Sequence, residues 1–146
     1  MKIMVFTEGT ATDAPSREQR RDYASYVPTE GAVDKLTKWQ LQGVEICYLT
    51  SRRWNEDENL EAVQATLRRF NFPAGELYYR QEGEEYVDVV ARVRPDVLIE
   101  DDCKSIGWDE VITPKLKTEW DIKGIVVPEF GGLAYLPDDC QGLLRL

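Results

Sequence analysis

The residue types that could carry chemistry in this sequence follow short apolar segments. Carboxylates come after two of these segments, at Glu8 and at the adjacent Asp101 and Asp102. Hydroxyl and guanidinium groups come after two others, at Thr50, Ser51, Arg52 and Arg80. Carboxylate oxygens suit a hard cation such as Mg²⁺, whereas hydroxyls and arginines suit phosphate. Together these groups could supply the charge neutralisation and positioning that phosphoryl chemistry needs.

Composition excludes several other chemistries. The 146 residues include 27 acidic and 18 basic side chains and no histidine, which gives a formal net charge of −9. Without histidine there can be neither a Ser-His-Asp triad nor a histidine-ligated zinc site. Acid–base work would fall to carboxylates, Lys, Tyr or Cys. The acidic balance also argues against a nucleic-acid partner, because such partners need a basic surface.

Cysteine usage and hydropathy indicate the compartment. The three cysteines, Cys47, Cys103 and Cys140, form no C-x-x-C pair, which excludes a zinc ribbon or a thioredoxin motif. No apolar run reaches the length of about 18 residues that a membrane span needs. The apolar start of the chain, residues 1–6, is too short for a signal peptide. We therefore expect a cytoplasmic protein that has no membrane partner.

Strands and helices alternate along the chain, and this alternation is typical of a parallel sheet covered by helices on both faces. Short apolar runs predict five strands, over residues 2–6, 44–49, 76–79, 97–99 and 124–127. Helical spacing of apolar residues predicts helices over residues 32–42, 55–70 and 84–94, and a mixed segment with a short helix over 105–120. The sequence thus predicts an α/β fold in one domain, residues 1–146.

The predicted fold gives the strand-end residues a common location. Ligands of open parallel sheets bind beyond the carboxyl ends of the strands, so we expect the carboxylates, hydroxyls and arginines to gather at one edge. Two segments lie outside the alternation. Residues 11–31 are polar and contain two prolines, which predicts a loop or flap insertion of functional interest. Residues 128–146 are predicted to form an irregular tail.

The order of these motifs resembles that of the haloacid dehalogenase-like (HAD-like) superfamily, which contains many Mg²⁺-dependent phosphatases. The superfamily's first motif, an apolar strand followed by D-x-D-G-T, is matched by IMVFTEGT at residues 3–10. Its second motif, a strand that ends in Thr or Ser, is matched by ICYLT at residues 46–50. Arg80 is the best-placed candidate for the basic third motif. The fourth motif, a strand that ends in acids, is matched by VLIEDD at residues 97–102.

This resemblance implies a three-layer Rossmann-like fold whose five-stranded parallel sheet has the order 3-2-1-4-5, without a large cap domain. It also implies that Asp101 and Asp102 hold Mg²⁺ and that Thr50 holds phosphate. The sequence departs from the superfamily at the nucleophile aspartate, which is replaced by Phe6. Phenylalanine offers neither a nucleophile nor a metal ligand, so ordinary phosphoaspartyl catalysis is not expected. Glu8 stands at the position of the general acid/base aspartate.

Three functions stay open at this point. The first is a phosphatase-related domain that binds Mg²⁺ and a small phosphorylated or anionic ligand but is degenerate in catalysis. The second is an active hydrolase in which Glu8 activates water for direct attack. The third is a non-catalytic protein-interaction domain that makes its contacts through residues 11–31 and the tail. Whether the chain forms homo-oligomers is left open.

Each candidate residue also has a purely structural interpretation. Thr50 and Ser51 could cap a helix that follows a strand. Arg52 could pair with a nearby acid, and Lys104 could neutralise the two aspartates. Acids at the end of a buried strand are costly unless they are paired, hydrogen-bonded or bound to metal, so Asp101 and Asp102 carry the strongest functional prediction.

Overall fold

Five parallel strands form the central sheet of the computed structural model, which describes residues 1–146. The chain contains seven strands: β1 (Lys2–Phe6), β2 (Thr12–Asp13), β3 (Val27–Pro28), β4 (Glu45–Arg53), β5 (Leu77–Arg80), β6 (Val97–Asp101) and β7 (Lys123–Val127). The main sheet has the order β5-β4-β1-β6-β7, and β2 and β3 form a separate antiparallel pair. Numbered by the five main strands alone, this order is 3-2-1-4-5. The predicted α/β class and strand order are therefore confirmed.

Three α-helices cover the sheet: α1 (Ala32–Leu41), α2 (Asp57–Arg69) and α3 (Tyr86–Val93). Their bounds lie within two residues of the predicted ones at most ends, because apolar residues at helical spacing mark the buried face of each helix. The segment over 105–120 contains no α-helix and instead forms short 3₁₀ turns. Pro114 lies within one of these turns, Thr113–Lys115, and lacks the N–H that a longer helix would need there.

Successive side chains of the central strands enter two separate cores, as the period of a β-strand requires. Ile3 and Val5 of β1 belong to a core that also contains Trp39 of α1 and Leu67 of α2. Met4 points to the opposite side, into a smaller core shared with α3. The apolar strands are therefore buried on both faces, which gives the three-layer architecture that the sequence predicted.

β4 is longer than the sequence indicated. It runs to Arg53 rather than ending at Leu49, so Thr50, Ser51 and Arg52 lie inside the strand. The pairing between β4 and β5 shifts register after Leu49. Because α2 begins only at Asp57, Thr50 and Ser51 cap no helix, and the helix-cap interpretation of these two residues is wrong.

The two segments outside the alternation both pack against the domain. Residues 11–31 contain the β2–β3 pair and two 3₁₀ turns, and Thr66 and Arg69 of α2 donate hydrogen bonds to backbone carbonyls of this segment. In the tail, Leu133 and Leu143 are fully buried in the larger core. None of the helices combines the length and the apolar character that crossing a bilayer demands.

Candidate active site

A cavity of about 310 Å³ lies at the carboxyl ends of β1, β4 and β6. We call it the strand-end cavity. Several of the residues that the sequence pointed to line it, namely Phe6, Glu8, Ser51, Arg52 and Asp101. Further parts of the wall come from the 11–31 segment and from the loops after β6 and β7, including Asp13, Arg20, Tyr26, Cys103, Glu129 and Phe130. The sheet thus brings the strand-end groups together as parallel topology predicts.

The Glu8 carboxylate is bound directly by the end of β4. Thr50 Oγ1 donates to it at 2.8 Å, the Ser51 N–H at 2.8 Å and Ser51 Oγ at 2.6 Å. Thr7 Oγ1 donates a further hydrogen bond. Four donors of the protein thus converge on the Glu8 carboxylate and hold it against the end of β4.

Arg52 supports the same contact from the side. Its Nη2 and Nε atoms donate to Ser51 Oγ at 3.0 and 3.3 Å. Nη1 pairs with Glu56 at 3.1 Å, and the guanidinium lies 4.2 Å from the centre of the Tyr23 ring. The pairing of Arg52 with a nearby acid, expected as its structural interpretation, is therefore present. Because Ser51 Oγ accepts from Arg52, its proton is directed towards Glu8.

Phe6, at the end of β1, makes an aromatic contact. Phe6 packs edge-to-face on Tyr86, with 5.2 Å between ring centres. The Arg80 guanidinium lies 4.0 Å from the centre of the same Tyr86 ring and donates to the Ser51 carbonyl at 3.1 Å. Burial raises the pKa of Tyr86 to about 12, so its phenol stays protonated. The positive charge of Arg80 thus lies against the Tyr86 ring, on which Phe6 also packs.

Asp101 lines the cavity and lies against the Gly9-Thr10 pair that follows β1. Its carboxylate accepts hydrogen bonds from Thr10 Oγ1 at 2.8 Å and from the Cys103 N–H at 3.0 Å. Only 4% of Asp101 is exposed, and this burial raises the pKa of its carboxyl group. Gly9 lies against the carboxylate, so close that a Cβ atom there would be 2.7 Å from Asp101 Oδ1.

Asp101, Asp102 and Glu129 form a cluster of three carboxylates, whose nearest oxygens lie within 4.8 Å of one another. Asp102 accepts from the backbone N–H groups of Lys104 at 3.1 Å and of Glu129 at 3.3 Å. Glu129 accepts from the N–H and the hydroxyl of Ser105 at 2.8 and 2.7 Å. The Lys104 ammonium forms no ion pair with either aspartate, although the sequence offered it as their neutralising partner.

Sequence reasoning missed Glu129. It follows β7 by two residues, so the rule that ligands gather after strand ends could have identified it. Glu100, in contrast, is not part of the three-carboxylate cluster. Its carboxylate accepts hydrogen bonds from the backbone N–H groups of Ile112 and Thr113 and so stabilises the fold.

No family model and no curated protein matches the sequence. Solved structures do match. A structure of the Pnkp1/Rnl/Hen1 complex aligns with a TM-score of 0.65 and 12% identity over 88% of this chain and 46% of its own. A Pnkp1/Rnl/Hen1 RNA repair complex aligns with a TM-score of 0.65 and 13% identity over 88% and 42%. The D,D-heptose 1.7-bisphosphate phosphatase from B. bronchiseptica, complexed with magnesium and phosphate, aligns with a TM-score of 0.56 and 10% identity over 99% of both chains.

These alignments define the class of fold. The chain shares its fold with the heptose bisphosphate phosphatase, over nearly the whole length of both chains. It spans less than half the length of the chains matched in the two Pnkp1/Rnl/Hen1 structures. At 10–13% identity the alignments establish the fold alone. The loss of the nucleophile aspartate at Phe6, and the metal and phosphate roles of the site residues, stay predictions.

Proposed function

We propose that this HAD-like domain binds Mg²⁺ together with a small phosphorylated or anionic ligand in the strand-end cavity and is degenerate in phosphoaspartyl catalysis. The observation that carries the proposal is the combination of groups in one cavity. The three-carboxylate cluster supplies cation ligands, the end of β4 supplies anion donors, and the nucleophile position holds Phe6.

The three-carboxylate cluster fits Mg²⁺. Each of Asp101, Asp102 and Glu129 accepts two hydrogen bonds from the protein, which leaves lone pairs on every carboxylate for a cation. Oxygen ligands are those that Mg²⁺ prefers. Bound there, Mg²⁺ would supply positive charge that screens a phosphoryl group. The phosphatase of the same fold was crystallised with magnesium and phosphate, which supports this pairing of ligands.

The end of β4 supports the anion half of the proposal. Thr50 and Ser51 already bind a carboxylate through three donors, so the arrangement is suited to oxyanions. Arg52 adds positive charge beside them, and Arg80 is linked to the Ser51 carbonyl.

The charge of the cavity argues for the metal entering with, or before, the anion. Six acids line the strand-end cavity, Glu8, Asp13, Glu100, Asp101, Glu110 and Glu129, against two bases, Arg20 and Arg52. This excess of negative charge weakens the binding of free phosphate, and Mg²⁺ held by the carboxylates would offset it. The net charge of −9 likewise supports a small ligand over a polynucleotide, even though one of the similar structures is an RNA repair complex.

Titration of Mg²⁺ by isothermal calorimetry tests the metal site. We expect saturable binding to the wild type, and an affinity lower by about tenfold or more in Asp102→Asn and in Glu129→Gln, because each variant removes one anionic ligand. Both side chains are only half-buried, so these variants should remain folded. The control is Glu61→Gln, which removes an exposed acid of α2. Absence of Mg²⁺ binding in the wild type, or equal affinity in all four proteins, would contradict the metal site.

Intact-mass analysis tests the loss of phosphoaspartyl catalysis. After acid quenching of a mixture with Mg²⁺ and acetyl phosphate, we expect no covalent phosphoryl adduct on the wild type, since Phe6 cannot form one. Phe6→Asp restores a carboxylate at that position and is the comparison protein. A phosphoryl adduct on the wild-type chain would show that another side chain acts as nucleophile.

A further inference from the structure

We infer that Glu8 is an internal occupant of an oxyanion-binding cradle, and that a phosphoryl group enters this cradle only when the Glu8 side chain leaves it. The cradle consists of the Thr50 hydroxyl, the Ser51 N–H and the Ser51 hydroxyl. The inference rests on the anion half of the proposed function and is independent of the metal site.

The donors of the cradle need an acceptor. Thr50 is fully buried, so its hydroxyl requires a hydrogen-bond partner inside the site. Thr50 Oγ1 lies 2.8 and 3.0 Å from the two oxygens of Glu8, and the two donors of Ser51 lie 2.8 and 2.6 Å from Oε1. Three donors on two successive residues therefore converge on one anionic group.

Such convergence is unusual for neighbouring residues of a strand, whose side chains normally point to opposite faces. The shift of register between β4 and β5 after Leu49 accounts for it, because an irregularity of this kind re-aims the residues beside it. Arg52 then fixes the Ser51 hydroxyl by donating to its oxygen. Two of the three donors of the cradle are therefore side-chain hydroxyls and one is a backbone N–H, and Arg52 holds the Ser51 hydroxyl through contacts that do not involve Glu8.

The Glu8 side chain lies between the cradle and the strand-end cavity. It is half-buried and lines the strand-end cavity, so its side chain has space to move into when it is displaced. A phosphoryl group carries more charge and one more oxygen than a carboxylate and can satisfy the same three donors. The apparent affinity for the phosphoryl group is the intrinsic affinity multiplied by the fraction of molecules in which Glu8 has left the cradle. Glu8 thereby acts as a built-in competitor for the anionic ligand.

The test is a titration with inorganic phosphate in EDTA, so that no metal takes part. By calorimetry and by thermal denaturation we expect weak or no saturable binding to the wild type. In Glu8→Ala the vacated cradle should bind phosphate about tenfold more tightly or better, with a rise in Tm on adding phosphate. Adding Ser51→Ala to that variant removes one donor and should abolish the gain.

The matched control is Glu110→Ala. Glu110 is another acid of the same cavity, but it is exposed and donates or accepts nothing in the cradle. An equal gain in Glu110→Ala would mean that charge relief alone explains the result, and would overturn the inference. So would a Glu8→Ala protein that binds phosphate no better than the wild type.

Glu8→Asp keeps the test decisive if Glu8→Ala does not fold. The shorter side chain retains the charge but withdraws the carboxylate from the cradle by one methylene. We expect tighter phosphate binding than in the wild type, and unchanged affinity in folded Glu8→Asp overturns the inference. A failure of Mg²⁺ to bind would contradict the proposed function and leave these metal-free results unaffected.

Discussion

Gly9→Ala is expected to lower the free energy of unfolding by about 3 kcal/mol. Two causes add. Gly9 has a φ of 92°, which side-chain-bearing residues rarely adopt. In addition, its Cβ would lie 2.7 Å from Asp101 Oδ1 and 3.0 Å from Asp101 Cγ, so the buried carboxylate would have to move away from Thr10. Equilibrium unfolding in urea measures the loss.

Gly43→Ala separates the two causes. Gly43 has the same φ of 92°, but a Cβ there would meet nothing within 4 Å. We expect this control to lose only about 1 kcal/mol, from the backbone alone. The difference between the two variants then measures how firmly Asp101 is held against Gly9. Equal losses would show that the carboxylate moves aside freely and that the Gly-Thr pair does not position it.

The Gly9 contact also predicts an effect on the proposed metal site. Because the alanine would push Asp101 away from its position beside Asp102 and Glu129, Mg²⁺ affinity should fall in Gly9→Ala and stay unchanged in Gly43→Ala. A lower Mg²⁺ affinity in Gly9→Ala alone would indicate that Asp101 ligates Mg²⁺. An unchanged affinity would indicate that its carboxylate serves only the fold.

The sequence was sufficient to predict the fold because its signals are local. Each strand is a short apolar run and each helix has one apolar face, and both patterns reflect burial in a three-layer domain. The strand-end rule then located Glu8, Thr50, Ser51 and Asp101 at one edge, since parallel strands end on the same side. None of these steps requires knowledge of how side chains meet.

The direct binding of Glu8 by Thr50 and Ser51 could not be predicted in the same way. It depends on β4 continuing past Leu49 and on the register shift against β5, and neither leaves a local pattern in the sequence. The separate uses of the adjacent acids were equally hidden. Glu100 accepts hydrogen bonds from the loop before β7, whereas Asp101 accepts one from Thr10 after β1. These two residues have different partners because successive side chains of β6 point to opposite faces of the sheet.

Glu100→Ala should also be strongly destabilising, by about 3 kcal/mol, because three backbone and hydroxyl donors would lose their acceptor. Only 2% of Glu100 is exposed. Its carboxylate accepts from the Ile112 N–H at 2.8 Å, and from the Thr113 N–H and Thr113 Oγ1, both at 2.6 Å. These bonds tie the loop before β7 to the end of β6. Unfolding in urea measures the loss, and the exposed Glu110→Ala is the control.

Glu100→Gln tests whether the contribution of Glu100 to the free energy of unfolding depends on pH. Burial raises the pKa of Glu100 above its ordinary value of 4.5, so over the interval between the two pKa values the folded chain retains a proton that the unfolded chain has lost. The free energy of unfolding contributed by this group therefore falls as the pH rises through that interval. Glutamine does not titrate, so the advantage of the wild type over Glu100→Gln should be greatest in acid and should shrink towards neutral pH. A constant difference between the two proteins over that range would mean that the hydrogen bonds from Ile112 and Thr113 fully offset the burial of the charge.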